Sequence, residues 1–222
     1  MKTIIKISFL IATILSSTNT IAQKQLTDAT IVYNLSIETR NGEKQLANGL
    51  NGAVLTISLS KDKSKTELVS GPGTETTVYD AKAGKGFILK EFSAQKLMIT
   101  TSADNWAQKN QNIKKLAFTT DETSTTIAGY NCKKAITTNA DGKNYTVYYD
   151  PSVTMANTSY NNAFPQIVGL PVQFELRSGN LVFIYTLSSY NADTIAANKF
   201  EAPKSRFRVM TYEENQQLKK GD

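Results

Sequence analysis

The chain is predicted to fold as a mainly β, α+β domain, and three observations carry that expectation. Apolar and polar residues alternate over several stretches, most clearly from Ala29 to Thr39, Ala53 to Ser60 and Val172 to Ser188. That period of two buries one face of a strand. Turn-forming clusters such as Asn41-Gly42, Gly71-Pro72-Gly73 and Ala140-Asp141-Gly142-Lys143 separate these stretches at short intervals. Helical periodicity is confined to two short segments. With 222 residues, 40% of them hydrophobic and 20% charged, the chain has enough apolar surface for one real core.

Residues 1–22 are set apart as a signal peptide. Lys2 and Lys6 precede an apolar run from Ile7 to Leu15, and Thr20-Ile21-Ala22 ends in the small residue a signal peptidase requires. Cleavage after Ala22 leaves residues 23–222 as a single exported domain, periplasmic, outer-membrane-associated or secreted. The apolar run is too short to span a bilayer, and no cysteine near the cleavage point can take a lipid, so no integral membrane segment is expected after cleavage. Loss of the two lysines reduces the net charge from +6 to +4. Lys61, Lys63 and Lys65 alternate with other polar residues, as on a solvated strand, and nothing resembles a nucleic-acid-binding arm. No nucleic-acid partner is expected, and a monomer is.

The elements follow in order. In the first strand, Ile31, Tyr33, Leu35 and Ile37 face one way; in the second, Ala53, Leu55, Ile57 and Leu59 do. Strands are predicted over Lys65 to Val69, Thr76 to Tyr79, Phe87 to Phe92 and Lys96 to Thr101. The glycines and lysines from Ala81 to Gly86 lack the spacing of a phosphate loop and read as a hairpin turn. Ser102 to Lys115 is either a short helix, with Ser102 as N-cap and Trp106, Ile113 and Leu116 on one face, or a long loop. Leu116 to Thr120 and a long run from Thr125 to Asn139 read as strand, followed by Tyr145 to Tyr149. Pro151 to Asn162 reads as a loop with room for one helical turn. Val172 to Leu176 and Leu181 to Leu187 form the clearest hairpin, turned by Ser178-Gly179-Asn180. A last strand from Arg206 to Met210 leads into Thr211-x-x-Glu214, a capping-box pattern. Glu213 and Glu214 suit the start of that helix, and Lys219, Lys220 and Gly221 its end.

The composition excludes most catalytic chemistry. No histidine is present, which removes the Ser-His and Cys-His nucleophilic sites and the usual zinc sites. Spaced-acid calcium loops are absent. Asp121-Glu122 and Glu213-Glu214 are paired acids, but neighbours on a strand point to opposite faces, and the second pair belongs to a helix start. No catalytic residue, metal or cofactor is therefore assigned. Cys132, the single cysteine, is either a buried thiol or a free one whose pKa Lys133 and Lys134 lower.

Three segments carry a resemblance to known families. Thr126-Ile127-Ala128-Gly129-Tyr130-Asn131-Cys132-Lys133-Lys134-Ala135, Tyr145-Thr146-Val147-Tyr148-Tyr149 and Ile167-Val168-Gly169-Leu170-Pro171-Val172-Gln173-Phe174-Glu175-Leu176 resemble the exported envelope families GLPGLI and DUF4412, and the later Phe200-Glu201-Ala202-Pro203-Lys204-Ser205-Arg206-Phe207-Arg208-Val209 looks like their closing strand entry. After Gly-Leu-Pro the chain continues Val172-Gln173-Phe174, closer to the second family. Gly129, Cys132, Lys133, Gly169, Leu170, Pro171 and Pro203 are the structural residues of the motif. In it, Gly129 permits a bulge or a close backbone approach, Tyr130 and Cys132 share a face, and Lys133 faces the other way with Asn131. These families are similar to the LolA/LolB lipoprotein carriers, which implies a LolA-like, strongly curved antiparallel half-barrel with a few short helices around an apolar cavity.

The expected function is that of a non-enzymatic binding protein holding a lipid, an acyl chain or a lipidated protein. Tyr33, Leu35, Leu55, Ile57, Tyr130, Phe174, Phe183 and Tyr185 are the residues expected on the apolar ligand face. The alternative is an envelope interaction module that presents strand edges to a protein partner.

Overall fold

The computed structural model describes residues 23–39, 49–111, 116–138, 142, 144–160, 164–178, 180–204 and 207–218. The proposed signal peptide, the Asn41-Gly42 turn, Gly179 and the Lys219 to Gly221 helix end lie outside them. In chain order the strands are β1 (Lys24–Leu26), β2 (Ala29–Thr39), β3 (Val54–Ser60), β4 (Lys63–Ser70), β5 (Gly73–Asp80), β6 (Lys85–Phe92) and β7 (Gln95–Ser102). Helix α1 (Ala103–Asn110) follows, then β8 (Thr119–Ile127), β9 (Tyr130–Thr138), β10 (Asn144–Asp150), β11 (Val153–Met155), β12 (Leu170–Ser178) and β13 (Leu181–Asn191). A 3-10 turn at Ala197–Phe200, β14 (Arg208–Thr211) and helix α2 (Tyr212–Leu218) complete the chain.

Twelve strands form one large curved sheet in the order β14-β7-β6-β5-β4-β3-β2-β13-β12-β10-β9-β8. All pairs are antiparallel except β14 with β7. The small β1–β11 pair, also parallel, stands apart from this sheet. The mainly β architecture expected from the alternation is present, with two parallel pairings that alternation does not reveal.

Cross-strand partners share a face, so the pairing register traces one surface across the sheet. On one side of the junction between β2 and β13 the row is Leu35, Tyr185, Phe174, Val147 and Ala135. On the other it is Ile31, Ile57, Thr66, Thr77, Ile88, Ile99 and Met210. The first half of this inner face is large and apolar. It is filled by the chain itself: Leu26, Val153, Tyr160, Phe164 and Ile167 all pack into the same core. The second half, over β4 to β7, carries small residues, among them the buried Ser64, Thr66, Thr77 and Thr101. Helices α1 and α2 lie there, with Trp106 against Tyr79 and Tyr212 against Ile88 and Ile99. The opposite face has a minor core of its own, where Ile195 and Phe200 cover Val78 and Phe87.

Two local expectations are corrected. The long strand through Thr125 to Asn139 is two strands, because Ala128 (φ 49°) and Gly129 (φ 84°) both take left-handed backbone and Ile127 pairs with Tyr130. This is a two-residue hairpin turn of the primed kind. Gly129 has open space around its Cα, so backbone angle and not close approach selects glycine there. The Pro151 to Asn162 loop contains β11 in place of a helical turn, held because Ala156 N–H donates to Leu26 O (2.8 Å) and Lys24 N–H to Ser152 O (2.7 Å). Lys133 lies opposite Tyr149, and Ala135 opposite Val147, so Lys133 is on the other side of the strand from Cys132, as the alternation predicts. Its ammonium reaches out to pair with Glu122 on β8.

Both capping boxes form. Ser102 N–H donates to Asn105 Oδ1 (3.0 Å) and Asn105 N–H to Ser102 Oγ (3.2 Å); Thr211 N–H donates to Glu214 Oε2 (2.7 Å) and Glu214 N–H to Thr211 Oγ1 (3.1 Å). The segment from Ser102 is thus the short helix of the two alternatives, its first orphan amides satisfied.

Candidate functional site

Beside Tyr79 on the inner face of β5, a cleft of about 560 Å³ remains between α1 and residues Thr158, Ser159, Tyr160, Pro165 and Gln166. That volume falls within the range of small-molecule sites. Its helix wall is Ala103, Trp106, Ala107 and Asn110, its floor Tyr79, and its far wall Thr158, Ser159, Tyr160, Pro165 and Gln166. Among the described residues the lining holds no charged side chain.

Each wall is fixed locally. Trp106 stacks on Tyr79 with ring centroids 4.1 Å apart and planes within 2°. Ser64, the cross-strand partner of Tyr79, and Thr77, two residues before it, are small and buried on the same face. At Gly86, paired with Tyr79, an added Cβ would meet Val78 O at 2.2 Å, so the sheet backbone stays close beneath the stack. Asn110 Nδ2 donates to Trp106 O at 2.8 Å, holding its amide against its own helix. Asn105 Nδ2 donates to Glu213 Oε1 at 2.7 Å, tying α1 to α2; this bond holds the Glu213 carboxyl below the usual carboxylate range. Opposite, Asn157 Nδ2 donates to Ser60 O (2.9 Å) and Lys63 O (3.1 Å), and Ser159 N–H donates to Asn157 Oδ1 (2.9 Å). These bonds anchor the far wall to the β3–β4 turn. Burial pushes the Tyr160 hydroxyl well above the ordinary tyrosine value, so the cleft wall stays neutral at any physiological pH.

The eight residues expected on a ligand face are brought together, but in the filled half. Tyr33, Leu35, Ile57, Phe174 and Tyr185 are buried, with Leu55, Tyr130 and Phe183 packed against them. Phe174 stacks on Tyr185 (4.8 Å) and meets Tyr33 (5.4 Å) and Phe164 (5.5 Å) edge-on. None of the eight lines the cleft. Tyr33 Oη donates to Pro171 O at 2.8 Å, locking the register shift that β10 and β12 show near Pro171. Of the motif residues, Leu170 is fully buried and Pro203 half-buried on the segment that crosses the outer face. Gly169 sits where a Cβ would fall 2.6 Å from the Tyr149 ring. The cleft residues escaped sequence reading because they come from a strand, a short helix and a loop with no common pattern. The lone tryptophan, on a helix of otherwise polar composition, was the usable signal.

This fold occurs in another protein. The crystal structure of an uncharacterized conserved protein from Thermus thermophilus superposes with a TM-score of 0.52 at 9% identity, over 83% of this chain and 90% of that one. PNGF-II aligns with a TM-score of 0.45 at 14% identity over 86% of this chain, which spans about a third (32%) of PNGF-II's length. A LolA superfamily protein from Nitrosomonas europaea aligns with a TM-score of 0.38 at 8% identity, over 80% of this chain and 91% of that one. No family model and no curated protein matches the sequence.

Cys132 belongs to the structure and not to a site. It is fully buried, its Sγ directed at Tyr130 O (3.5 Å). Burial, and more weakly the Asp150 charge, raise its pKa against the lowering effect of a hydrogen bond with the Ile127 backbone. The flanking lysines do not lower it. Native protein at pH 8 is expected to react with a thiol reagent at least about 100-fold more slowly than protein unfolded in urea, since labelling must wait for opening. Equal rates would mean that the thiol is accessible.

Proposed function

We propose that the chain is an exported, non-enzymatic binding protein of the cell envelope that seats the acyl chain of a lipid or lipidated protein in the cleft beside Trp106. The observation that carries this reading is the cleft's uncharged lining: an apolar group loses no ion pair and strands no charge on entering it. The hydroxyls and amides of Thr158, Ser159 and Gln166 suit the polar end of an ester or amide linkage. The motif resemblance to GLPGLI and DUF4412 proteins, with the export signal read at residues 1–22, supports an envelope location. The absence of histidine from the sequence supports a binding role over catalysis.

Trp106 is the only tryptophan of the chain, so its fluorescence reports on this cleft alone. A brominated fatty acid is expected to quench most of that emission, and a fluorescent fatty acid bound to the protein to be displaced by an unlabelled one. Organic extraction of purified protein followed by mass spectrometry is expected to release lipid. Unchanged Trp106 emission together with an empty extract would overturn the assignment.

The sheet edge favours a second reading. Thr119 to Thr126 of β8 are exposed, and β9 is the strand that pairs with it, which offers an edge to an extended segment of a protein partner. A partner lost on Ser124→Pro, with no lipid recovered, would support that reading instead.

A further inference from the structure

A second groove, of about 570 Å³, opens at the tip of the β6–β7 hairpin, between β14 and the end of α2. Its floor is Leu97 and Met210, and its walls carry Lys96, Arg208 and Leu218. Arg208 lies opposite Leu97 in the parallel β14–β7 pairing. Lys96 is already matched, its Nζ 2.7 Å from Glu91 Oε2. Among the described residues Arg208, which is exposed, has no carboxylate partner, and no acid lines the groove. A large apolar side chain stands in solvent on the same wall: Leu218 is 58% exposed. An unmatched guanidinium beside an exposed aliphatic group is complementary to one kind of surface, where phosphates lie directly above hydrocarbon.

We propose that this groove docks the chain on an anionic phospholipid bilayer. Arg208 forks a headgroup phosphate while Leu218 enters the acyl boundary. A free phosphate would use the guanidinium but gain nothing from Leu218. A second copy related by a twofold axis through the groove would oppose Arg208 to Arg208. Helix α2, whose Leu218 lines the groove, is tied at its other end to α1 through Asn105 and Glu213. Docking is independent of what the cleft holds, so an empty cleft leaves the following test unaffected.

The test is co-sedimentation of the chain beginning at Gln23 with vesicles, either an equal mixture of phosphatidylglycerol and phosphatidylcholine or phosphatidylcholine alone. Binding is expected only to the mixture, and to weaken as salt rises. Arg208→Gln removes one surface charge and is expected to lower partitioning roughly fivefold. Leu218→Ser is expected to lower it several-fold through the lost apolar contact. Lys61→Gln, an equal charge change at the remote β3–β4 turn, is the control and is expected to leave binding unchanged. Both Arg208 and Leu218 are exposed, and circular dichroism verifies that each variant folds. Equal binding to phosphatidylcholine alone, no effect of Arg208→Gln, or an equal loss in Lys61→Gln would each overturn the proposal. Displacement by inorganic phosphate with no effect of Leu218→Ser would assign the groove to a free anion instead. A wild-type dimer that either groove variant dissociates would assign it to a second copy.

Discussion

Truncating Phe174 to alanine is expected to lower the unfolding free energy by about 3–5 kcal/mol. The ring is buried, and three other aromatic rings, Tyr33, Phe164 and Tyr185, rest on it from β2, the 156–170 segment and β13. Those neighbours are held by separate backbones, so they cannot close together over the void, and the cavity contribution adds to the lost transfer energy. A loss of that size is a large share of the 5–15 kcal/mol typical of a whole domain. Urea melts followed by far-ultraviolet circular dichroism measure it directly. Val168→Ala, at a 67% exposed position six residues earlier, is the comparison and is expected to change stability by no more than about 0.5 kcal/mol. A Phe174→Ala variant as stable as wild type would show that this interior is not packed as described.

Alkaline pH is the second strong lever. Tyr33 and Tyr160 are both buried, and burial first, then the nearness of Tyr160 to Tyr33, raises the Tyr33 pKa well above its ordinary value; burial alone raises that of Tyr160. An acid whose folded pKa is raised contributes its full stabilisation below the unfolded pKa, near 10, and loses it as pH climbs past that value toward the folded one. Each tyrosine therefore removes about 1.4 kcal/mol per pH unit above pH 10, and the two together about 2.7 kcal/mol. Unfolding midpoints in urea are expected to hold steady from pH 7 to about 9.5 and to fall steeply above about 10. Tyr160→Phe is expected to make the slope shallower by one tyrosine's share. Tyrosinate absorbance near 295 nm supplies the parallel readout: ionisation of these two is expected to coincide with unfolding. A slope unchanged in both Tyr160→Phe and Tyr33→Phe would contradict the burial of these hydroxyls.

The strands were legible in the sequence because each carries its own pattern. Ile31, Tyr33 and Leu35 needed no knowledge of their partners to be placed on a buried face, and Thr211 and Glu214 described their capping box within four residues. What depended on distant partners was not legible. β11 has no alternation to offer, and exists because its backbone finds β1. The turn at Ala128-Gly129 was hidden because alanine gives no hint of a left-handed conformation, so Thr125 to Asn139 read as continuous. The half of the inner face that is filled was the half the sequence marked as a ligand surface: apolar strand residues look the same whether a ligand or the chain's own Tyr160 and Phe164 cover them. The cleft lies instead between Tyr79 of β5, the short helix α1 and the turn-rich residues Thr158 to Tyr160, which share no periodic pattern.

The order of strands in the sheet also bears on how the molecule is made. β2 through β7 follow one another outward, but the other neighbour of β2 is β13, whose Leu187 pairs with Tyr33 across 154 residues of chain. At ordinary synthesis rates that interval is roughly 10–30 s. Throughout it one edge of β2 has open hydrogen-bonding groups beside the apolar Tyr33 and Leu35, a combination that invites pairing with other chains. A ribosome-bound nascent chain therefore has a built-in delay between the appearance of its central strand and that strand's completion. In the exported protein proposed above, passage of the whole chain across the membrane before folding would close that window by presenting β2 and β13 to the folding reaction together.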